Sequence, residues 1–119
     1  MRRMLLMAVG GALAVAGVGM GLAAAPADAG ITPVSIFGHG AGQQGYDPFK
    51  VVIPKRSKVT WTNNGSVDHT VTKDGGGFNS GVINPGDTYT KRFKKVKVYR
   101  YHCSIHAGMN GKVKVIRPS

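Results

Sequence analysis

The segment Tyr101-His102-Cys103-Ser104-Ile105-His106-Ala107-Gly108-Met109 sets a thiol, an imidazole and a thioether at Cys-x2-His-x2-Met spacing. A second imidazole, His69, lies 34 residues before Cys103. Two imidazoles and one thiolate in a trigonal plane, with a weak axial thioether, form the donor set of a copper electron-transfer site. Soft sulfur suits Cu(I), and imidazole is acceptable to both Cu(I) and Cu(II). Ligation would also account for Cys103, the single cysteine in the chain, by holding it as thiolate and away from disulfide chemistry.

Zinc is the first alternative, because two His and one Cys with an open fourth position match a catalytic zinc site. Hydrolysis at such a site commonly draws on a carboxylate as general base. The chain has no Glu, and none of its five Asp adjoins the Cys-His-Met segment. Methionine is also a poor zinc ligand, so copper is the better reading. A copper chaperone or storage protein stays open, since the same donors bind copper without redox cycling. His102 adjoins Cys103 and therefore points to the opposite face of a strand, which makes it a non-ligand. His39 sits in a glycine-rich loop and reads as solvated. Trp61 and Phe93 read as core residues.

These side chains need rigid elements to hold them. Short runs rich in Val, Ile, Thr, Tyr and Trp predict strands at 32–37, 49–53, 58–63, 70–73, 88–93, 96–102 and 112–116. Val59 and Trp61 share one face, as do Tyr99, Tyr101 and Cys103 on a later strand. Turn signals separate the runs at Asn63-Asn64-Gly65, Asp74-Gly75-Gly76-Gly77, Asn84-Pro85-Gly86-Asp87 and the stretch 108–111. No stretch after residue 30 carries a helical period, so the expected class is an all-β sandwich of a single small domain.

With Tyr46-Asp47-Pro48, Val59-Thr60-Trp61-Thr62-Asn63, His69-Thr70-Val71-Thr72 and Asn84-Pro85-Gly86-Asp87 ahead of the Cys-His-Met segment, residues 46–116 resemble a cupredoxin. The resemblance is to the plastocyanin/amicyanin group of small bacterial blue-copper proteins, and the short His106–Met109 gap is of the amicyanin type. It implies an eight-stranded Greek-key sandwich, one strand more than the runs predict. It implies one copper ion, cycling between Cu(I) and Cu(II), on His69, Cys103, His106 and Met109. The implied role is a single-electron carrier of an exported redox chain rather than an enzyme. His106 would lie near the surface among Ile105, Ala107 and Met109, as the electron port. Many family members carry Asn after the upstream His, tying the ligand loops together. Here that position is Thr70, whose hydroxyl would have to reach Ser104 or nearby backbone to do the same.

Arg2 and Arg3 precede an uncharged apolar run over residues 4–25, and Ala27-Asp28-Ala29 precedes Gly30. This is the layout of a secretory signal over residues 1–29, leaving a domain over 30–119. An uncleaved membrane anchor is the alternative. The expected location is a periplasm, a cell-wall zone or the medium. The whole chain has a formal net charge of +11. Lys91, Arg92, Lys94, Lys95, Lys97 and Arg100 crowd into ten residues. Such a field suits a redox partner with an acidic docking surface, or an anionic envelope surface. Nucleic acid is not an expected partner of an exported protein. The chain is expected to act as a monomer.

Overall fold

Alternation of apolar and polar residues builds the strands, and the computed structural model describes residues 30–39 and 42–118. The expected signal segment lies outside the described residues. Eight strands run in chain order: β1 (Ile31–Phe37), β2 (Gly45–Asp47), β3 (Lys50–Pro54), β4 (Lys58–Asn63), β5 (Thr72–Lys73), β6 (Thr88–Arg92), β7 (Val98–His102) and β8 (Asn110–Ile116). They form two four-stranded sheets, ordered β2-β1-β4-β6 and β3-β8-β7-β5. Each sheet contains one parallel pair, β1 with β4 and β3 with β8.

Two differences from the expected strands have physical causes. β2 lies where the sequence showed a Gly/Gln-rich loop followed by Tyr46-Asp47-Pro48. It is three residues long, too short to show a period, and exists by pairing with Ser35–Phe37 of β1. The strand expected at 70–73 shrinks to Thr72–Lys73. His69 and Thr72 also form isolated bridges, with Ile83 and Asn79.

The inward faces meet in one core. Val34 and Ile36 of β1, Val59 and Trp61 of β4, Ile53 of β3, and Val113 and Val115 of β8 are all buried. Burial of each such side chain contributes roughly 1.5–3 kcal/mol. Trp61 Nε1 donates to Tyr101 Oη at 3.0 Å, joining β4 of one sheet to β7 of the other. The ring of Tyr46 packs edge-on against Tyr101, with centroids 4.7 Å apart. Tyr101 faces Gly111 across the β7–β8 ladder, where a Cβ would sit 2.2 Å from the Tyr101 ring. The eight strands of the described residues and the core that they bury all lie within 31–116.

Strand direction defines two poles. At one, β1, β4 and β7 begin and β3, β6 and β8 end. Arg56 N–H donates to Phe93 O there, and Val115 N–H to Lys97 O. At the other, β4 and β7 end and β8 begins. The candidate donors gather at this second pole.

Candidate metal centre

The inward face of β7 carries Tyr99, Tyr101 and then Cys103, which lies just past the strand end and is 3% exposed. His102 faces outward instead, its Nδ1 2.6 Å from Asp74 Oδ1. The chain turns through residues 104–108 and re-enters as β8. Cys103 N–H donates to Met109 O at 3.0 Å and closes the loop. That closure brings His106 back toward the thiol, with Nδ1 3.5 Å from Cys103 Sγ.

His69 arrives from the other side of the pole. It is fully buried and held by two backbone bonds to Ile83, one of 3.2 Å and one of 2.7 Å. Asn63 holds this segment from beneath. Its amide donates to Ile83 O at 2.8 Å and to Val67 O at 2.9 Å, while its Oδ1 accepts from Gly65 N–H at 2.9 Å. Gly65 passes so close to Gly38 that a Cβ there would lie 2.2 Å from the Gly38 carbonyl oxygen. His69 Nδ1 thereby comes 4.0 Å from Cys103 Sγ.

One ligand atom from each of His69, Cys103 and His106 falls within a span of 4.8 Å. Donors about 2.0–2.3 Å from one shared ion are separated by ~3.5–4 Å, so the three fit a single metal. Burial lowers the His69 pKa, and the neighbouring His106 lowers it further, against a smaller opposing effect of the Gly38 backbone. Both main causes favour the neutral imidazole, which is the ligand form. Met109 is buried at 2% exposure, immediately before β8. The sequence reading placed Met109 in a surface patch with Ile105 and Ala107, and this is corrected. Its backbone is fixed by Cys103 and its side chain lies inside, leaving Ile105 and Ala107 exposed beside half-buried His106.

Thr70 ties the two halves together. Its backbone N–H points at Cys103 Sγ at 3.4 Å. Its hydroxyl oxygen accepts from Ser104 N–H at 2.8 Å and lies 3.2 Å from Ser104 Oγ. Its carbonyl accepts from Tyr46 Oη at 2.5 Å. Burial pushes the Tyr46 phenol far above the ordinary tyrosine range, with Cys103 and Tyr101 adding to the shift. His39 stands apart from the cluster, its Nδ1 2.6 Å from Ser66 Oγ.

The sequence points to the donors and to Thr70 as the tie to Ser104, but not to Asn63 or Tyr46 as supports. Asn63 was legible only as a strand end before a turn; its signal was an Asn following the inward-facing Val59 and Trp61. Nothing in the sequence around Tyr46 shows that its hydroxyl reaches Thr70.

Residues 35–116 match the family model described as copper binding proteins of the plastocyanin/azurin family. The chloroplast plastocyanin of Tetradesmus obliquus is 33% identical over 114 residues, covering 85% of this chain and 74% of that protein. A purple cupredoxin from Nitrosopumilus maritimus superposes with a TM-score of 0.65 at 33% identity, covering 71% of this chain and 99% of that one. The reduced Cu(I) form of an amicyanin variant at pH 4 gives a TM-score of 0.64 at 25% identity, covering 74% and 84%.

Proposed function

Because the chain belongs to the copper-binding plastocyanin/azurin family of cupredoxins, we propose that it carries single electrons on one copper ion held by His69, Cys103, His106 and Met109, in an exported bacterial redox chain. The observation that carries the ligand assignment is the convergence of two imidazoles and the only thiol within 4.8 Å at one pole of a rigid sandwich. Copper bound there supplies a one-electron Cu(I)/Cu(II) couple.

The residues around the donors do the rest. The Thr70 N–H directed at Cys103 Sγ draws electron density from the thiolate, a lever on reduction potential. The Thr70–Ser104 bonds lock the His69 segment to the Cys103–Met109 loop, so the donors keep their spacing in both oxidation states. Burial of Cys103 and Met109 excludes water from the sulfurs. His106 alone among the four is half-buried rather than buried, beside exposed Ile105 and Ala107. That edge is where a redox partner would approach, through the small and transient contact usual for such encounters. The net charge and the crowding of Lys91, Arg92, Lys94, Lys95, Lys97 and Arg100 support an acidic docking surface on a partner, and most of those cations lie away from this edge.

Copper titration followed by a potentiometric redox titration tests the reading. One copper per chain and a reversible one-electron wave are expected. Rapid loss of copper to a chelator with no reversible wave would instead indicate a chaperone or storage role.

A further inference from the structure

Most of the cations lie away from the metal-ligand cluster. Lys58 begins β4 and pairs with Arg92 at the end of β6, and Lys55 and Arg56 form the turn before β4. Lys94, Lys95 and Lys97 occupy the β6–β7 loop. All of these lie at the pole opposite Cys103. The four described acidic residues lie on the other half. Asp68 adjoins His69, Asp74 contacts His102, Asp87 O accepts from Asn63 N–H, and Asp47 pairs with Ser35 near the end of β1. The molecule is therefore electrically polar along its strands.

The basic pole also exposes apolar side chains. Val96, at 43% exposure, sits inside the run Lys94-Lys95-Val96-Lys97, and Ile31 and Ile116 are exposed at the same end. A cleft of about 290 Å³ also opens at this pole, lined by Lys91, Arg92, Phe93, Lys94, Lys95 and Tyr99. Two ammonium groups are held over aromatic faces, Lys91 Nζ 5.5 Å from the Phe93 centroid and Lys97 Nζ 5.2 Å from that of Tyr99. The chain also enters the sandwich here, since Gly30 O accepts from Lys58 N–H at 2.9 Å. Residues 26–29 separate that entry from the uncharged apolar run over residues 4–25.

We propose that this pole docks on the phosphate headgroups of an anionic membrane surface and so holds the metal pole outward, toward soluble partners. Lysines attracted to anionic lipid and apolar side chains dipping among the headgroups act together at such a surface. A polyanion in solution would reward the lysines and leave Val96, Ile31 and Ile116 in water. An acidic redox protein seated here would be at the wrong end, with the whole sandwich between it and His106. The proposal does not rest on copper ligation, because none of these residues touches the metal-ligand cluster.

Sedimentation with vesicles tests it, using residues 30–119 so that the apolar run cannot anchor the protein. Binding is expected to vesicles of phosphatidylglycerol and phosphatidylcholine and to be lost with phosphatidylcholine alone. Combined Lys94→Gln, Lys95→Gln and Lys97→Gln should weaken partitioning about 100-fold at low salt. A control with the same charge change, Lys50→Gln, Lys73→Gln and Lys112→Gln, should change it less than about threefold, because those sites lie outside the docking face. Val96→Ser should weaken binding while leaving the charge intact. Equal losses in the two triple variants would reduce the effect to net charge and overturn the proposal. Equal binding to neutral vesicles would overturn it, as would binding to soluble polyphosphate with none to vesicles.

Discussion

Thr70 is the residue on which the candidate site turns, because its three polar groups each serve a different partner. The hydroxyl accepts from Ser104, the N–H faces Cys103 Sγ, and the carbonyl accepts from Tyr46. Removing the hydroxyl with Thr70→Val keeps the backbone bonds and leaves the Ser104 N–H without its acceptor. A partly buried donor left unmet costs about 1–3 kcal/mol. Chemical denaturation of the variant should show a loss of that size, and unchanged stability would mean that the two loops are held by other contacts. Thr70 stands out in the sequence because it takes the place that Asn fills in many proteins of the group the chain resembles. That a β-branched hydroxyl meets the same need depends on how closely two segments 34 residues apart approach, and no single-sequence pattern encodes that distance.

At the scale of strands, the β7–β8 pair sets the loop that presents Cys103, His106 and Met109. Its register puts Gly111 opposite Tyr101, and the missing side chain leaves the space that the Tyr101 ring occupies. Gly111→Ala would drive a methyl into that ring and displace the Trp61–Tyr101 bond as well. Overpacking of this kind costs typically 1–3 kcal/mol, and urea unfolding should shift by at least about that amount. A wild-type unfolding midpoint would show that Tyr101 has room to move. The outward and inward faces of β4, β7 and β8 were legible from alternation, and so was the outward turn of His102. The three-residue β2 and the shortening of the 70–73 strand were not. Both are decided by cross-strand partners rather than by their own residues.

The whole molecule joins its two sheets through buried phenols, and this makes its stability depend on pH at the alkaline end. Burial pushes Tyr101 up to about 12 from the ordinary 10.0 and Tyr46 further still. Below the ordinary value both states keep the proton and the full stability is present. Above it the unfolded chain gives up protons that the folded chain retains. Stability should therefore fall as pH rises from about 10 toward 12, by up to about 1.4 kcal/mol per pH unit for each buried phenol. A urea midpoint that stays level to about pH 11 would contradict this. The charge polarity belongs to the same scale. Along the chain Lys91, Arg92, Lys94, Lys95, Lys97 and Arg100 form one basic cluster, Lys55, Arg56 and Lys58 a second, and Lys112, Lys114 and Arg117 a third. That two of them meet at one pole follows from where β4 and β7 begin and β6 ends, which the sequence does not show.

The central claim, that His69, Cys103 and His106 converge on one copper ion, is tested most directly by visible absorption of residues 30–119 loaded with Cu(II), alongside Cys103→Ala. An intense band is expected, because thiolate-to-copper charge transfer needs the sulfur. It should bleach on reduction, return on oxidation and be absent from the variant. A wild-type protein that stays colourless, or a band that survives Cys103→Ala, would contradict the account.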